Sequence, residues 1–296
     1  MNDRVTISIE DGVADVRMVR IDKMNALDNA MFEALVGAGE RLKTEKGVRA
    51  VVLSGEGRAF CAGLDMGNFG QMAEGPRGSS TTARSDEGLG ARTHGDANRA
   101  QYACWVWREL PVPVIAAVHG VAFGGGFQVA LAPTCATSRP DTRLAVMEIK
   151  WGLVPDMAGT QLMRHLARED IVRELTYTGR IFSGEEAFQY GFATRVCADP
   201  RAEALATARE IAAKSPDAVR AAKRILNAAV MSTVRGGLTM ESVEQGPPDR
   251  IAQPGRGDNV QPAEAQSRLR RSGLTPHGCG WRRPRLQPKL TASGAG

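Results

Sequence analysis

The 296-residue chain has few of the features that would assign it to a specialised class of protein. No apolar run approaches the roughly 20 residues that a membrane-spanning helix needs, so we expect neither a transmembrane segment nor a membrane partner. The first residues alternate between polar and apolar side chains and lack the apolar stretch of a secretory signal peptide. The five cysteines are scattered, with no Cys-x-x-Cys pair. They indicate a reducing, cytoplasmic location and argue against a disulfide framework or a zinc site.

Acidic residues are scarce in one part of the chain only. The formal net charge is +5, but residues 246–296 hold nine basic side chains against three acidic ones, so the first 245 residues are close to neutral. Aromatic residues make up only 5% of the chain, and no platform of interleaved aromatic side chains accompanies the basic segment. A basic surplus confined to one end does not support nucleic-acid binding, and we expect no nucleic-acid partner.

Short apolar runs and amphipathic stretches alternate along the chain, which predicts an α/β fold with much parallel strand pairing. Strands are predicted over Val5–Ile9, Val13–Val19, Val48–Leu53 and Pro113–Val118, the first two as a hairpin. Helices are predicted over Ala26–Leu42 (with Asp28 as N-cap), Ala97–Leu110, Gln161–Leu166, Arg168–Thr178, Gly184–Gly191, Ala202–Ala213 and Ala218–Met231. Residues 67–96 are rich in Gly, Ser and Thr without an apolar period, which predicts a mobile cover or a disordered insert.

Two glycine-containing loops each follow a predicted buried strand. They are Ala59–Met66 and Phe123–Gly126. Glycine lets main-chain N–H groups approach a ligand closely, and the second loop also opens a helix, whose N-terminus carries partial positive charge. Two such donors aimed at one carbonyl oxygen of a substrate would form an oxyanion hole. The alternative is that both loops are turns whose glycines allow close packing. No Lys-Ser/Thr pair follows the three glycines of the second loop, so it is not a P-loop.

Four segments occur in an order and spacing that is much more specific than any one of them. They are Asp22–Leu27 (DKMNAL), Ala59–Met66 (AFCAGLDM), Pro113–Gly126 (PVIAAVHGVAFGGG) and Met147–Pro155 (MEIKWGLVP). With them the chain resembles the crotonase superfamily, the enoyl-CoA hydratases and isomerases, over about residues 3–245.

The resemblance implies an overall organisation for the chain. It implies an α/β spiral core of repeated ββα units with the acyl-CoA site over residues 1–195, and a helical C-terminal region used for trimerisation over 196–245. It also implies a homotrimer or a dimer of trimers and coenzyme A thioesters as substrates. Coenzyme A is then part of the substrate, and we expect no separate cofactor and no metal. Residues 246–296 lie outside the resemblance; they are rich in Arg, Pro and Gly, and we predict them to be disordered.

The resemblance also assigns binding roles to individual residues. The oxyanion donors would be the backbone N–H groups of Leu64 and Gly125. Residues near the coenzyme A portion of the substrate would be Lys23, Ala26, Ala62, Gly63, Asp65 and Gly124. Lys23 would meet a phosphate of coenzyme A or, in the alternative, be solvated.

The available carboxylates decide which reaction is expected. Hydratases of the family use two glutamates: the second matches Glu148, but the first falls at Gln128, which cannot accept a proton from water. Family isomerases that convert 3-enoyl to 2-enoyl thioesters manage with the glutamate at the Glu148 position. Dienoyl-CoA isomerases resemble this chain in carrying an aspartate at the Asp156 position, although they have Asp where this chain has Gln128. We therefore expect double-bond isomerisation, with Glu148, Asp156 and Gln128 in the catalytic site.

Several alternatives stay open from the sequence. The protein could be a 2-enoyl-CoA hydratase in which Gln128 holds the water, or a catalytically weak acyl-CoA-binding scaffold. Asp156 follows a proline before a helix and could be an N-cap. Cys61 has no paired base and is interpreted as a packing residue, and His119 is interpreted as structural.

Two segments depart from the family pattern. Residues 132–139 carry Pro133 and small polar residues where the family has an apolar strand, so they suit a buried strand poorly. We hypothesise that this segment, and the ending at 246–296, arise from shifted reading frames.

Overall fold

The computed structural model describes residues 3–65, 67 and 90–246, all within one compact unit, Met1–Arg256. The predictions for residues 68–89 of the Gly- and Ser-rich loop, and for the tail after residue 246, lie outside the described residues.

The described residues contain a six-stranded sheet and a three-stranded sheet. The larger has the order β1 (Val5–Glu10), β2 (Val13–Met18), β3 (Ala50–Gly55), β4 (Val114–Val118), β6 (Cys135–Ser138) and β9 (Arg195–Val196). The smaller has the order β5 (Val121–Phe123), β7 (Arg143–Ala145) and β8 (Phe182–Ser183). The β1–β2 pair is antiparallel, which confirms the hairpin, and the other pairs of the larger sheet are parallel. The predicted α/β class is confirmed.

Most helices lie close to their predicted positions. They are α1 (Asn29–Thr44), α2 (Arg99–Glu109), α3 (Gly125–Leu131), α4 (Gly159–Met163), α5 (Glu169–Thr178), α6 (Gly184–Tyr190), α7 (Pro200–Ala212), α8 (Pro216–Ala229) and α9 (Val234–Gln245). Asp28 caps α1 as predicted, since its side chain accepts a hydrogen bond from Met31 N. Helix α9 lies beyond the last predicted helix; the Thr233 side chain caps its start by accepting from Gly236 N.

Helix α7 packs against the larger sheet through a face of alanines. Ala204, Ala208 and Ala212 are four residues apart, so they lie on one side of the helix, and all three are buried. They form an apolar cluster with Val52 and Ile115 of the sheet. Small side chains on this face let the helix lie close to the strands.

Helices α1 and α2 pack together within the larger apolar core, which also holds Leu35 and Trp107. Gly39 lies where the two helices meet, and a Cβ added there would overlap the side chain of Val106. A glycine at this position therefore sets how closely the two helices approach.

Within the segment 132–139, Cys135–Ser138 form the strand β6, contrary to our expectation. β6 lies between β4 and β9 in the larger sheet, and Ala136, Thr137 and Ser138 are buried. The hydroxyl groups are tolerated because they find backbone acceptors. Thr137 Oγ1, for example, lies 2.9 Å from Pro200 O and 3.2 Å from Ala116 O.

The C-terminal helices expose apolar side chains. The large apolar residues of this region that are exposed are Leu226, Val230, Met231, Val234, Leu238 and Val243. The predicted role of this region in trimerisation stays a prediction. None of the described helices is long and apolar enough to cross a bilayer.

Candidate active site

The two glycine-containing loops lie side by side. Cys61 N donates to Val121 O at 3.1 Å, and Phe123 N donates to Cys61 O at 3.2 Å. A Cβ on Gly63 would lie 2.5 Å from Phe123 O and 3.9 Å from Gly125 N. The close approach therefore needs glycine, and it brings the backbone of the first loop to the start of helix α3.

The two amide groups predicted as oxyanion donors lie at this junction. Leu27 N donates to Gly63 O at 2.8 Å, and Asp65 N donates to Leu27 O at 3.0 Å, so the chain is fixed on both sides of Leu64. Gly125 is the first residue of α3, where an N–H group has no acceptor within the helix. The structure describes many backbone hydrogen bonds outside the helices and strands. Among these bonds, neither Leu64 N nor Gly125 N is a donor.

Gln128 lies on α3 and is buried, with 1% of its surface exposed. Its Nε2 donates to Glu148 Oε1 at 2.6 Å. Its Oε1 accepts from Met157 N at 2.9 Å and from Gly159 N at 2.8 Å. Both acceptor positions of the amide oxygen are therefore used by the backbone, and one hydrogen of the amide nitrogen remains.

Glu148 begins a 3-10 helix, Glu148–Trp151, and is also buried. Its Oε1 accepts from Gln128, whereas Oε2 has no hydrogen-bond partner among the described residues. A Cβ on Gly124 would lie 3.3 Å from Oε1, so the carboxyl group faces the turn that leads into α3. Burial raises the pKa of Glu148, and the charge of Asp156 raises it further against the hydrogen bonds that lower it.

Asp156 lies near Glu148 but is open to solvent. Partial desolvation raises its pKa, and its charge acts on Glu148. The N-cap interpretation is wrong, because α4 begins at Gly159 and its N-cap residue is Ala158. Ala158 has a left-handed backbone with φ of +68°.

The residues predicted to contact coenzyme A fall into two neighbouring places. The first holds Lys23, Ala26, Ala62, Gly63 and Asp65, since Ala62 N donates to Met24 O at 2.9 Å and so joins the two segments. Lys23 is exposed. Gly124 lies on the other loop, and its N–H donates to Ala145 O at 3.0 Å.

Two residues that hold this region were not singled out from the sequence. Arg20 Nη1 lies 2.6 Å from Asp65 Oδ2 and 3.0 Å from Ala26 O. Asn25 is fully buried, has a left-handed backbone, and donates through Nδ2 to Ala59 O and Glu56 O. Arg20 gave no local signal of this role, because an arginine after a strand is common. Asn25 stands in one of the four motifs and could have been found there.

The structural interpretations of Cys61 and His119 fit their surroundings. Cys61 Sγ donates to Asn25 O at 3.1 Å, and burial raises the pKa of the thiol to about 12, which suits packing and not nucleophilic attack. His119 Nε2 lies 3.0 Å from Gly57 O.

Comparisons with known proteins identify the family of the chain. Residues 8–246 match the family described as Enoyl-CoA hydratase/isomerase. A probable enoyl-CoA hydratase of Bacillus subtilis is 29% identical over 80% of this chain and 87% of its own length. The human mitochondrial Delta(3,5)-Delta(2,4)-dienoyl-CoA isomerase is 32% identical over 74% of this chain and 66% of its own length.

Solved structures resemble the fold as a whole. The crystal structure of a putative enoyl-CoA hydratase from Streptomyces coelicolor has a TM-score of 0.74 and 27% identity, covering 92% of this chain and 93% of its own. A putative enoyl-CoA hydratase from Thermobifida fusca, solved in complex with CoA, has a TM-score of 0.72 and 28% identity, covering 85% of this chain and 94% of its own. The chain therefore belongs to the enoyl-CoA hydratase/isomerase family of the crotonase superfamily and is an enzyme of that family.

Proposed function

We propose that the protein moves a double bond in an unsaturated acyl-CoA thioester, converting a 3-enoyl substrate to a 2-enoyl product or rearranging a dienoyl substrate. The observation that carries this proposal is the hydrogen bonding of Gln128. Its amide oxygen is held by Met157 N and Gly159 N, and its amide nitrogen donates to Glu148. Gln128 thus positions one carboxyl group and does not supply a second.

The acyl-CoA substrate class is supported by family membership and by two relatives. They are two solved structures of putative enoyl-CoA hydratases from Thermobifida fusca, one in complex with CoA and the other in complex with acetoacetyl-CoA. In this chain the thioester oxygen would accept hydrogen bonds from Leu64 N and Gly125 N. Preorganised donors of this kind are worth about 3–4 kcal/mol each in stabilising the negative charge of an enolate.

Glu148 would carry out the proton transfer. Its carboxylate takes a proton from one carbon of the acyl chain, the C–H electron pair enters the conjugated enolate, and the double bond shifts. The proton is then returned to the far carbon of the enolate, so no atom is gained or lost. Glu148 returns it in a 3-enoyl substrate. For the longer reach of a dienoyl substrate, Asp156 enters the step protonated and donates to the far carbon, and the proton held by Glu148 is then exchanged back to Asp156 through solvent. Burial raises the pKa of both carboxyl groups, which makes each a stronger base than an exposed carboxylate.

The hydratase alternative is less well supported. A hydratase needs a group that accepts the proton of the attacking water, and the acceptor positions of Gln128 are occupied by two backbone N–H groups. Only the remaining N–H of Gln128 is free to donate to a water molecule. The unpartnered Oε2 of Glu148 is the one observation that favours hydration, because it is an available base.

A comparison of substrates tests the proposal. Purified protein is given 2-enoyl-, 3-enoyl- and 3,5-dienoyl-CoA, and turnover is followed by ultraviolet absorbance. We expect turnover of the 3-enoyl or dienoyl thioester and a loss of about a hundred- to ten-thousand-fold in Glu148→Gln. Asp156→Asn should impair the dienoyl substrate more than the 3-enoyl one. Glu185→Gln, which changes an exposed glutamate of α6, is the control. Turnover of 2-enoyl-CoA alone would establish the hydratase, and CoA binding without turnover would establish the scaffold.

The assembly and location expected from the sequence are part of the same proposal. A homotrimer or a dimer of trimers is supported by the apolar side chains exposed on α8 and α9. A cytoplasmic location, the absence of a separate cofactor and the absence of nucleic-acid, membrane or metal partners stay predictions from the sequence.

A further inference from the structure

We infer that Arg20 is a positioning residue that holds the Leu64 amide in place for the thioester oxygen. This inference rests on the proposed function, since it assigns Leu64 N as an oxyanion donor. Arg20 follows β2 and is largely buried, with 13% of its side chain exposed.

The position of Leu64 depends on its pairing with Leu27. The hydrogen bonds from Leu27 N to Gly63 O and from Asp65 N to Leu27 O form a short parallel bridge. Leu64 lies between the two residues that make these bonds. In a parallel bridge the N–H of such a residue points away from the partner, which here is Leu27. Any sliding of one segment along the other would therefore turn this N–H.

Arg20 contacts the residues on both sides of this bridge. Its Nη1 donates to Ala26 O at 3.0 Å, immediately before Leu27, and lies 3.3 Å from Asp28 Oδ2, immediately after it. The same nitrogen lies 2.6 Å from Asp65 Oδ2, immediately after Leu64. One guanidinium group thus fixes both segments at the point where they pair.

The charges favour a rigid arrangement. The side chains of Asp28 and Asp65 are 16% and 17% exposed, so their contacts with Arg20 are poorly screened by water. Asp65 Oδ1 also accepts from Gly67 N at 2.9 Å, and this bond together with Arg20 lowers the pKa of Asp65. The carboxylate therefore stays ionised and bound across the neutral pH range.

Arg4 provides a matched control. Its Nη2 lies 2.9 Å from the same Asp28 oxygen that Arg20 approaches, and it is also partly buried. Arg4 contacts Asp28 and Asp3, and none of these hydrogen bonds or ion pairs reaches Ala26 or Asp65. Loss of Arg4 removes an ion pair of Asp28 without releasing the loop.

Ligand binding separates positioning from mere support of the fold. Two ligands are titrated by calorimetry into wild type, Arg20→Met, Arg20→Lys and Arg4→Met. The first is acetoacetyl-CoA, whose enolate carries negative charge on its thioester oxygen. The second is butanoyl-CoA, which does not form that enolate. We expect Arg20→Met to weaken acetoacetyl-CoA at least about tenfold more than butanoyl-CoA, because only the enolate needs the aligned amide. Arg20→Lys should restore part of this preference, and Arg4→Met should keep it within about twofold of wild type.

Kinetics give a second readout. In Arg20→Met we expect kcat to fall by at least about tenfold with KM changed less than about threefold, because the interaction is made in the transition state. The loss in kcat of the double variant Arg20→Met, Asp65→Asn should be smaller than the sum of the two single losses in free energy, since Arg20 acts partly through Asp65.

The inference is overturned if Arg20→Met weakens both ligands equally, or if Arg4→Met causes the same selective loss. It is also overturned, together with the proposed function, if wild type binds neither ligand. A wild type that prefers acetoacetyl-CoA but turns over no substrate would refute the proposed reaction alone, and the ratio of affinities in the variants would still decide the role of Arg20.

Discussion

Replacing Gln128 with glutamate perturbs the central contact of the site. Gln128 Nε2 now donates to Glu148 Oε1 at 2.6 Å, while its Oε1 is held by Met157 N and Gly159 N. In Gln128→Glu the two backbone N–H groups would hold one carboxylate oxygen and turn the other toward Glu148. Two unit charges at that separation repel by about 6 kcal/mol at an effective dielectric constant of about 20, so the pair would retain one proton.

The retained proton makes the stability of the variant depend on pH. The folded pair has a pKa raised above the roughly 4.3 of glutamate in an unfolded chain. Stability is therefore intact below about pH 4 and falls as the pH rises, until the folded pair itself loses its proton. Relative to wild type, we expect a loss of about 1 kcal/mol at pH 5 and about 4 kcal/mol at pH 7.

Urea unfolding followed by circular dichroism between pH 4 and pH 8 measures this difference. Gln161→Glu is the matched control, because Gln161 is an exposed residue of α4 and its replacement makes the same chemical change in water. The control should follow the wild-type pH dependence. Parallel curves for wild type and Gln128→Glu would refute the reasoning, since they would mean that residue 128 does not face Glu148.

Three further predictions concern the framework of the fold. Burial and the nearby charge of Arg108 lower the pKa of Lys223 to about 7. The free energy of unfolding should therefore rise between pH 7 and about pH 10. Lys223→Met should flatten this rise in thermal melts, whereas Lys214→Met, which changes an exposed lysine, should not. Gly39→Ala should destabilise the protein by about 1–3 kcal/mol in urea because of its overlap with Val106. Gly37→Ala in the same helix meets open space and should stabilise it by up to about 1 kcal/mol. Ala158→Gly should stabilise the protein by up to about 1 kcal/mol, because it relieves a left-handed backbone. Ala218→Gly in α8 should destabilise the protein by about as much. Equal effects at the two positions would contradict the left-handed conformation of Ala158.

The sequence predicted the elements whose signals are local. The alternation in β1 and β2 and the capping side chain of Asp28 each act within a few residues, so the hairpin and α1 are found where expected. β6 was wrongly expected to be a poor strand, because the acceptors for Thr137 come from Ala116 and Pro200, which are distant in sequence. Helix α9 was missed because two glycines near its start weaken its helical signal.

The site was predictable in its residue types and less so in its connections. The motifs pointed to Glu148, Gln128 and the two glycine loops, which the structure brings together. Sequence reasoning considered Gln128 as a holder of water, since nothing local indicates that Met157 N and Gly159 N occupy its oxygen. The contacts of Arg20 with Asp65 were equally hidden, because they depend on how two loops approach each other in space.

Cys61 is a buried residue of the predicted oxyanion loop, so chemical labelling of its thiol can measure how often the loop opens. Cys61 and Cys104 are buried, whereas Cys135 and Cys197 are half-buried. A thiol reagent can modify Cys61 only during the brief intervals in which the backbone around Asn25 and Gly63 separates. The rate at which Cys61 is labelled, with and without an acyl-CoA present, therefore reports how often the two glycine loops come apart.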